Sequence, residues 1–254
     1  MLDYNNLVMK HFWTHKDNAP DGIGYGQFTS GHFVWLLLTV LFTIGIVFFY
    51  GHLSIPNKIL LRRALGATLI IIDIIKMFII GFSDVKLSEY LPLELCSFAA
   101  YFIVIDSIWF DNSFIKIMLL TLFLPAAIMA VLFPTTSTLP SFNFYTIHQF
   151  LYHGLIIAYV MALYVYGEIH LLYPDVWKAI LSVLLLAAVI YLIDTKFDRN
   201  FMFLRDTYGN PLLEVIWKYT KGGFAYTVGL VCFCIFMIHV FYFFFKLISL
   251  LFLH

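Results

Sequence analysis

Apolar runs long enough to cross a hydrocarbon core, roughly 20 residues of helix, recur at positions 33–50, 64–80, 91–110, 114–133, 145–166, 176–193 and 225–248. The pattern predicts an all-α protein, a polytopic transmembrane helix bundle of about seven spans. Residues 33–254 form a single transmembrane domain, and residues 1–32 form an N-terminal interfacial segment ahead of it. The third and fourth runs are so close that a tight antiparallel hairpin is expected at Asp111, Asn112 and Ser113. Between positions 117 and 167 there is no Asp, Glu, Lys or Arg. The linker inside that stretch, PTTSTLPSFNFYTIHQ, is therefore expected to lie partly within the membrane. The linker over 194–224 keeps apolar patches (FMFL, LLEVIW) and is expected to hold an interfacial or re-entrant helix.

Composition strengthens this reading. The chain is 62% hydrophobic and 12% charged, against roughly 25% charged residues in a soluble domain, and its mean hydropathy is +0.92. A formal net charge of zero lacks the basic footprint of a nucleic-acid binder. Cys96, Cys232 and Cys234 all lie in apolar runs, so no disulfide framework is implied, and no metal site or cofactor is expected. Asp3, Lys10, Lys16, Asp17 and Asp21 precede the first run, and no small-residue cleavage site ends it, so the first span is expected to remain in a multi-pass protein of the cell membrane. Lys and Arg divide almost evenly between the two faces. The 194–224 linker, with Lys196, Arg199, Arg205, Lys218 and Lys221, tilts the N-terminus inside.

Alternation of the spans assigns each polar residue to a face before any packing is known. The N-terminus and the second, fourth and sixth linkers share one face. His32, Cys96, His148, His153, Asn200 and Arg205 all fall on or just below it: a nucleophile, candidate bases and a cation at one end of the bundle. At ~1.5 Å per residue, Cys96 is expected roughly 8 Å and His153 roughly 12 Å inside their spans, and Gly154 leaves room for a neighbouring helix or an acyl chain. Each residue also has a plainer reading. An intramembrane cysteine is more often a small apolar filler than a nucleophile, an imidazole more often a helix-to-helix hydrogen bond than a base. Trp35, Tyr50, Tyr101, Trp109 and Trp177 read as interface anchors. Asp73 and Lys76 share a helical face and can pair, with Asp106 as a possible third member of an intramembrane polar network. These charges are too costly to face lipid.

Four ordered stretches carry a family resemblance: FTSGHFVWLLLTVLF (28–42), LPLELCSFAA (91–100), FYTIHQFLYHGLIIA (144–158) and DRNFMFLRD (198–206). The set resembles the YwaF-type integral membrane family, related to the ether-phospholipid acyltransferase transmembrane protein 164. The resemblance implies an acyl-transfer pocket in which Cys96 carries the acyl group as a thioester and His153 acts as base. A wider kinship is with membrane hydrolases of fatty-acid esters that pair a threonine and a histidine two spans apart. The residue two before the cysteine, often His in that pattern, is Glu94 here, and on a continuous helix it points about 160° away from Cys96.

The thiol, ordinarily protonated at neutral pH, needs an adjacent imidazole. The oxyanion needs a donor, for which Asn200, Arg205 or free amides at the start of the third span are available, and His32 and His148 are possible supporting residues. The reading is therefore a membrane lipid acyltransferase or acyl hydrolase, its partner a membrane phospholipid or other acyl lipid. The alternative is a transporter or channel with a polar path through Asp73, Lys76 and Asp106.

Overall fold

The computed structural model describes residues 10–109 and 112–252, and every regular element among them is helical. The helices are α1 (Ser30–Gly51), α2 (Ile55–Gly81), α3 (Leu95–Ile108), α4 (Ser113–Leu132), α5 (Phe144–Val165), α6 (Tyr173–Phe197), α7 (Pro211–Thr220) and α8 (Gly223–Phe252). Six of them are long and apolar enough to cross a membrane, and α3 is a shorter apolar helix, which together account for about seven spans.

The elements follow from local signals. Pro56 lies in the first turn of α2, where its missing N–H costs nothing. The helix therefore begins at Ile55, nine residues ahead of the expected start, and takes Lys58, Arg62 and Arg63 into its first turns. Pro92 biases Leu91 away from helical geometry, and Glu94 is extended at ψ 156°, so α3 begins only at Leu95. Its 14 residues span about 21 Å, short of the ~30 Å core. Cys96 is thus the second residue of a short helix rather than a full turn inside a long one. Phe110 and Asp111 lie outside the described residues, but Asn112 caps α4 by accepting the Ile115 N–H (3.2 Å). Within α4, residues Leu119–Phe123 widen into a π turn just ahead of Pro125, which has no N–H to continue the ladder.

The buried centre is α4 and α5. α5 packs against α1, α2, α3 and α4, while α6 and α8 cover the other side of α4. The outer helices turn large apolar side chains outward, among them Phe33, Leu37, Leu41 and Phe48 of α1 and Leu181, Leu185 and Leu192 of α6, as lipid contact requires. Gly154 lets α1 approach α5: its Cβ position is 3.5 Å from Thr39 Cγ2. The 211–220 part of the long linker is a helix, α7, capped by Asn210, whose side chain accepts the Leu212 N–H (3.0 Å).

Contacts among the linkers settle which segments share a face. Phe144 N–H bonds the Phe12 carbonyl (2.8 Å) and Tyr25 N–H that of Leu139 (2.9 Å). Tyr90 donates to Asp17 (2.5 Å), and Arg199 to Ser88 (2.8 Å). The residues before α1 and the linkers α2–α3, α4–α5 and α6–α7 therefore meet on one face, as alternation requires. The α4–α5 linker is stapled to the N-terminal segment there. Asp3 of that segment lies outside the described residues.

Candidate functional site

Cys96 stands at the mouth of α3. The Glu94 carbonyl takes the N–H groups of Ser97 (3.0 Å) and Phe98 (3.1 Å). The amides of Leu95 and Cys96 find no acceptor oxygen among the described residues. These are the unsatisfied donors of a helix N-terminus, and they belong to Cys96 and the residue before it. Tyr152 of α5 donates to the Cys96 carbonyl (3.4 Å), which brings the third turn of α5 level with the first turn of α3. His153 follows in sequence, 6% exposed.

The two ring nitrogens of His153 have different fates. Nδ1 lies 2.7 Å from the Gln149 carbonyl. A carbonyl only accepts, so Nδ1 carries the proton and Nε2 keeps its lone pair. Nε2 has no hydrogen-bond partner among the described residues. His148, one turn earlier, stacks on Tyr152 (5.2 Å between centroids, planes at 16°), and its Nε2 is buried without a partner. From α2, Lys76 pairs with Asp73 at 2.5 Å. One end of the bundle thus gathers a thiol, two imidazoles with an unused nitrogen, and an ion pair, drawn from α2, α3 and α5.

Three other candidates are occupied elsewhere. His32 is fully buried. Its Nε2 bonds the Val131 carbonyl (2.8 Å) and its Nδ1 accepts the Phe28 N–H (3.0 Å), so it is a strut between α1 and the end of α4. Asn200 closes its own loop, accepting the N–H groups of Arg205 (2.7 Å) and Asp206 (3.1 Å). Arg205 covers the C-terminal end of α6 through the carbonyls of Asp194 (2.9 Å) and Arg199 (3.0 Å) and through Asp198 (3.0 Å).

Asp106 does not join Asp73 and Lys76. It pairs with Arg62 at 2.6 Å and accepts from Tyr159 at 2.6 Å. Arg62 also reaches Glu168 (3.1 Å), which accepts from Tyr50 (2.6 Å). On α2, Arg62 is 11 residues from Asp73, about 16 Å along the axis, so the polar groups form two separate clusters. Tyr50, expected as an interface anchor, is a buried member of the second. Arg62, Tyr159 and Glu168 were not singled out from sequence. The available signal was Asp106 itself, a carboxylate deep in an apolar helix that needs a cation at the same depth. Among the described residues no group of three or more His, Cys, Asp or Glu side chains is arranged to hold a metal ion.

Comparison with curated proteins and with solved structures gives no match. The model of the TMEM164 family matches residues 27–245. That range takes in both polar clusters, the mouth of α3 and all of the helices, the last in part, and the chain belongs to the TMEM164 family.

Proposed function

We propose that this chain is a lipid acyltransferase or acyl hydrolase of the cell membrane, with Cys96 as nucleophile and His153 as base. The observation that carries the reading is the state of His153: its proton is held at Nδ1 by Gln149, so Nε2 is free to take another. The adjacent Tyr152 tethers that turn to the backbone of Cys96.

The chemistry follows from these roles. The Cys96 thiol gives its proton to His153 Nε2, and the sulfur attacks the ester carbonyl carbon of a membrane phospholipid or other acyl lipid. Negative charge on the carbonyl oxygen meets the free amides of Leu95 and Cys96, which are already oriented by the helix. The ester C–O bond breaks, the departing alcohol takes the proton from His153, and the acyl group stays as a thioester. An acceptor hydroxyl, or water in the hydrolase, then gives its proton to His153 as it attacks the thioester, and the sulfur recovers that proton as it leaves. His148 is the second unused imidazole at this end of the bundle and is a candidate to orient the acceptor.

Incubating purified protein with phospholipid and measuring its intact mass tests the reading. Wild type is expected to gain an acyl mass that hydroxylamine removes. Cys96→Ser replaces the thioester by a hydroxylamine-resistant ester or no adduct, and His153→Ala slows acylation by roughly 10²–10⁴-fold. Unchanged lipid turnover by Cys96→Ala overturns the mechanism.

A further inference from the structure

The loop after α6 is tied to the segment that leads into Cys96. Glu94 Oε2 accepts the Met202 N–H at 2.8 Å. Arg199 donates to Ser88 (2.8 Å) and lies 3.6 Å from Glu89. Beneath these ties, Phe201 and Leu204 are buried in a cluster to which Leu93 and Phe98, on either side of Cys96, also belong.

The loop is held in a conformation it would not adopt unaided. Met202 and Phe203 have φ of 55° and 57°, a left-handed geometry that side chains with a Cβ disfavour and that persists only where surrounding contacts impose it. Asp194 accepts the Phe201 N–H (2.9 Å) and Thr227 donates to the Leu204 carbonyl (2.8 Å), which fixes the loop from behind. Glu94 is the contact from the front, and it reaches the strained residue itself. It does so from the N-cap position of α3, where its side chain makes no capping bond. The carboxylate is committed to the loop and leaves the first amides of the helix free.

We infer that Glu94 is a positioning residue. By accepting the Met202 N–H, it latches residues 198–206 over the mouth of α3, closing that end against water and holding Cys96 and the free amides in register. The catalytic part of this inference rests on the acyl-transfer reading above; the latch does not.

Two measurements separate them. Amide exchange reads the latch directly. The Met202 amide is expected to exchange at least ~10-fold more slowly in wild type than in Glu94→Leu, because its hydrogen bond to Glu94 must open first, and equal rates overturn the latch. Alkylation of Cys96 by a membrane-impermeant maleimide reads the closure. Glu94→Leu is expected to raise the rate ~10-fold or more while alkylation of Cys232 and Cys234 stays the same, and Glu94→Gln, whose amide oxygen still accepts, restores the wild-type rate. A Cys96 rate unmoved by Glu94→Leu, or raised equally by Glu94→Gln, overturns the inference. An absence of acyl mass on wild-type Cys96, with the exchange and alkylation results as expected, refutes the acyl-transfer reading and leaves the latch standing.

Discussion

His32 and His153 show how one residue type can be bonded in two different ways. Both are buried histidines on the same side of the bundle. His32 spends both ring nitrogens on backbone groups of two segments, whereas His153 spends only Nδ1. Removing the first leaves the Val131 carbonyl unpaired in a buried site, which costs about 1–3 kcal/mol. His32→Ala is therefore expected to lower the melting temperature in detergent while any Cys96 acylation proceeds. A loss of acylation at unchanged stability would place His32 in the chemistry after all. Outside the spans, His15 packs edge-on against Tyr90 and Tyr145. Burial holds its pKa below the usual 6.5, against the pull of Asp17. The unfolded segment therefore binds the proton more readily than the docked one. Docking of the N-terminal segment is expected to be strongest above pH ~6.5 and to weaken as pH falls through that value toward the lower folded pKa. The amide of Phe144, bonded to Phe12, reports this in pH-dependent exchange.

At the scale of elements, the apolar runs located every long helix, but the edges moved wherever charge or proline governed them. α2 was expected from position 64 because Arg62 and Arg63 look like loop residues. Its start at Ile55 takes both arginines into the helix, where the partners of Arg62 lie on other segments. Close approach of α2 to α3 is what brings those partners together. A Cβ on Gly66 stands 3.3 Å from Val104 Cγ2, so alanine requires a shift of a few tenths of an ångström and a larger side chain must separate the helices. Gly66→Leu is expected to destabilise by about 1–3 kcal/mol and to loosen the Arg62–Asp106 pair, read as faster exchange along α3. Gly66→Ala is the mild control. Stability equal to wild type for Gly66→Leu would show that α3 is not held in this way.

For the whole molecule, the two polar clusters stand at different depths of the bundle. The one built on Arg62, Asp106, Tyr159, Glu168 and Tyr50 is densely paired and ties α1, α2, α3 and α5 at the face opposite the N-terminus. Breaking a buried pair from one side leaves a charge with too few partners, at about 3–5 kcal/mol. Asp106→Leu is accordingly expected to be strongly destabilising, and Arg62→Met with Asp106→Leu to recover much of the loss. A double variant as unstable as the sum of the single ones would rule out a direct pair. The other cluster keeps unused imidazole nitrogens and free amides, the groups that the proposed acyl transfer would use.

The sequence by itself determined the class, the order of the spans and the face to which each polar residue belongs, because bilayer thickness sets helix length and a chain must cross alternately. Motif order also pointed to Cys96 and His153. Only the tertiary structure decided how the polar groups are used. Depth and rotation of neighbouring helices, which no periodicity encodes, paired Asp106 with Arg62 instead of Lys76, filled both nitrogens of His32, and turned Asn200 and Arg205 back onto their own loop. A hydrogen bond needs its partner within about 3 Å, and which groups come that close is settled between helices, not along them.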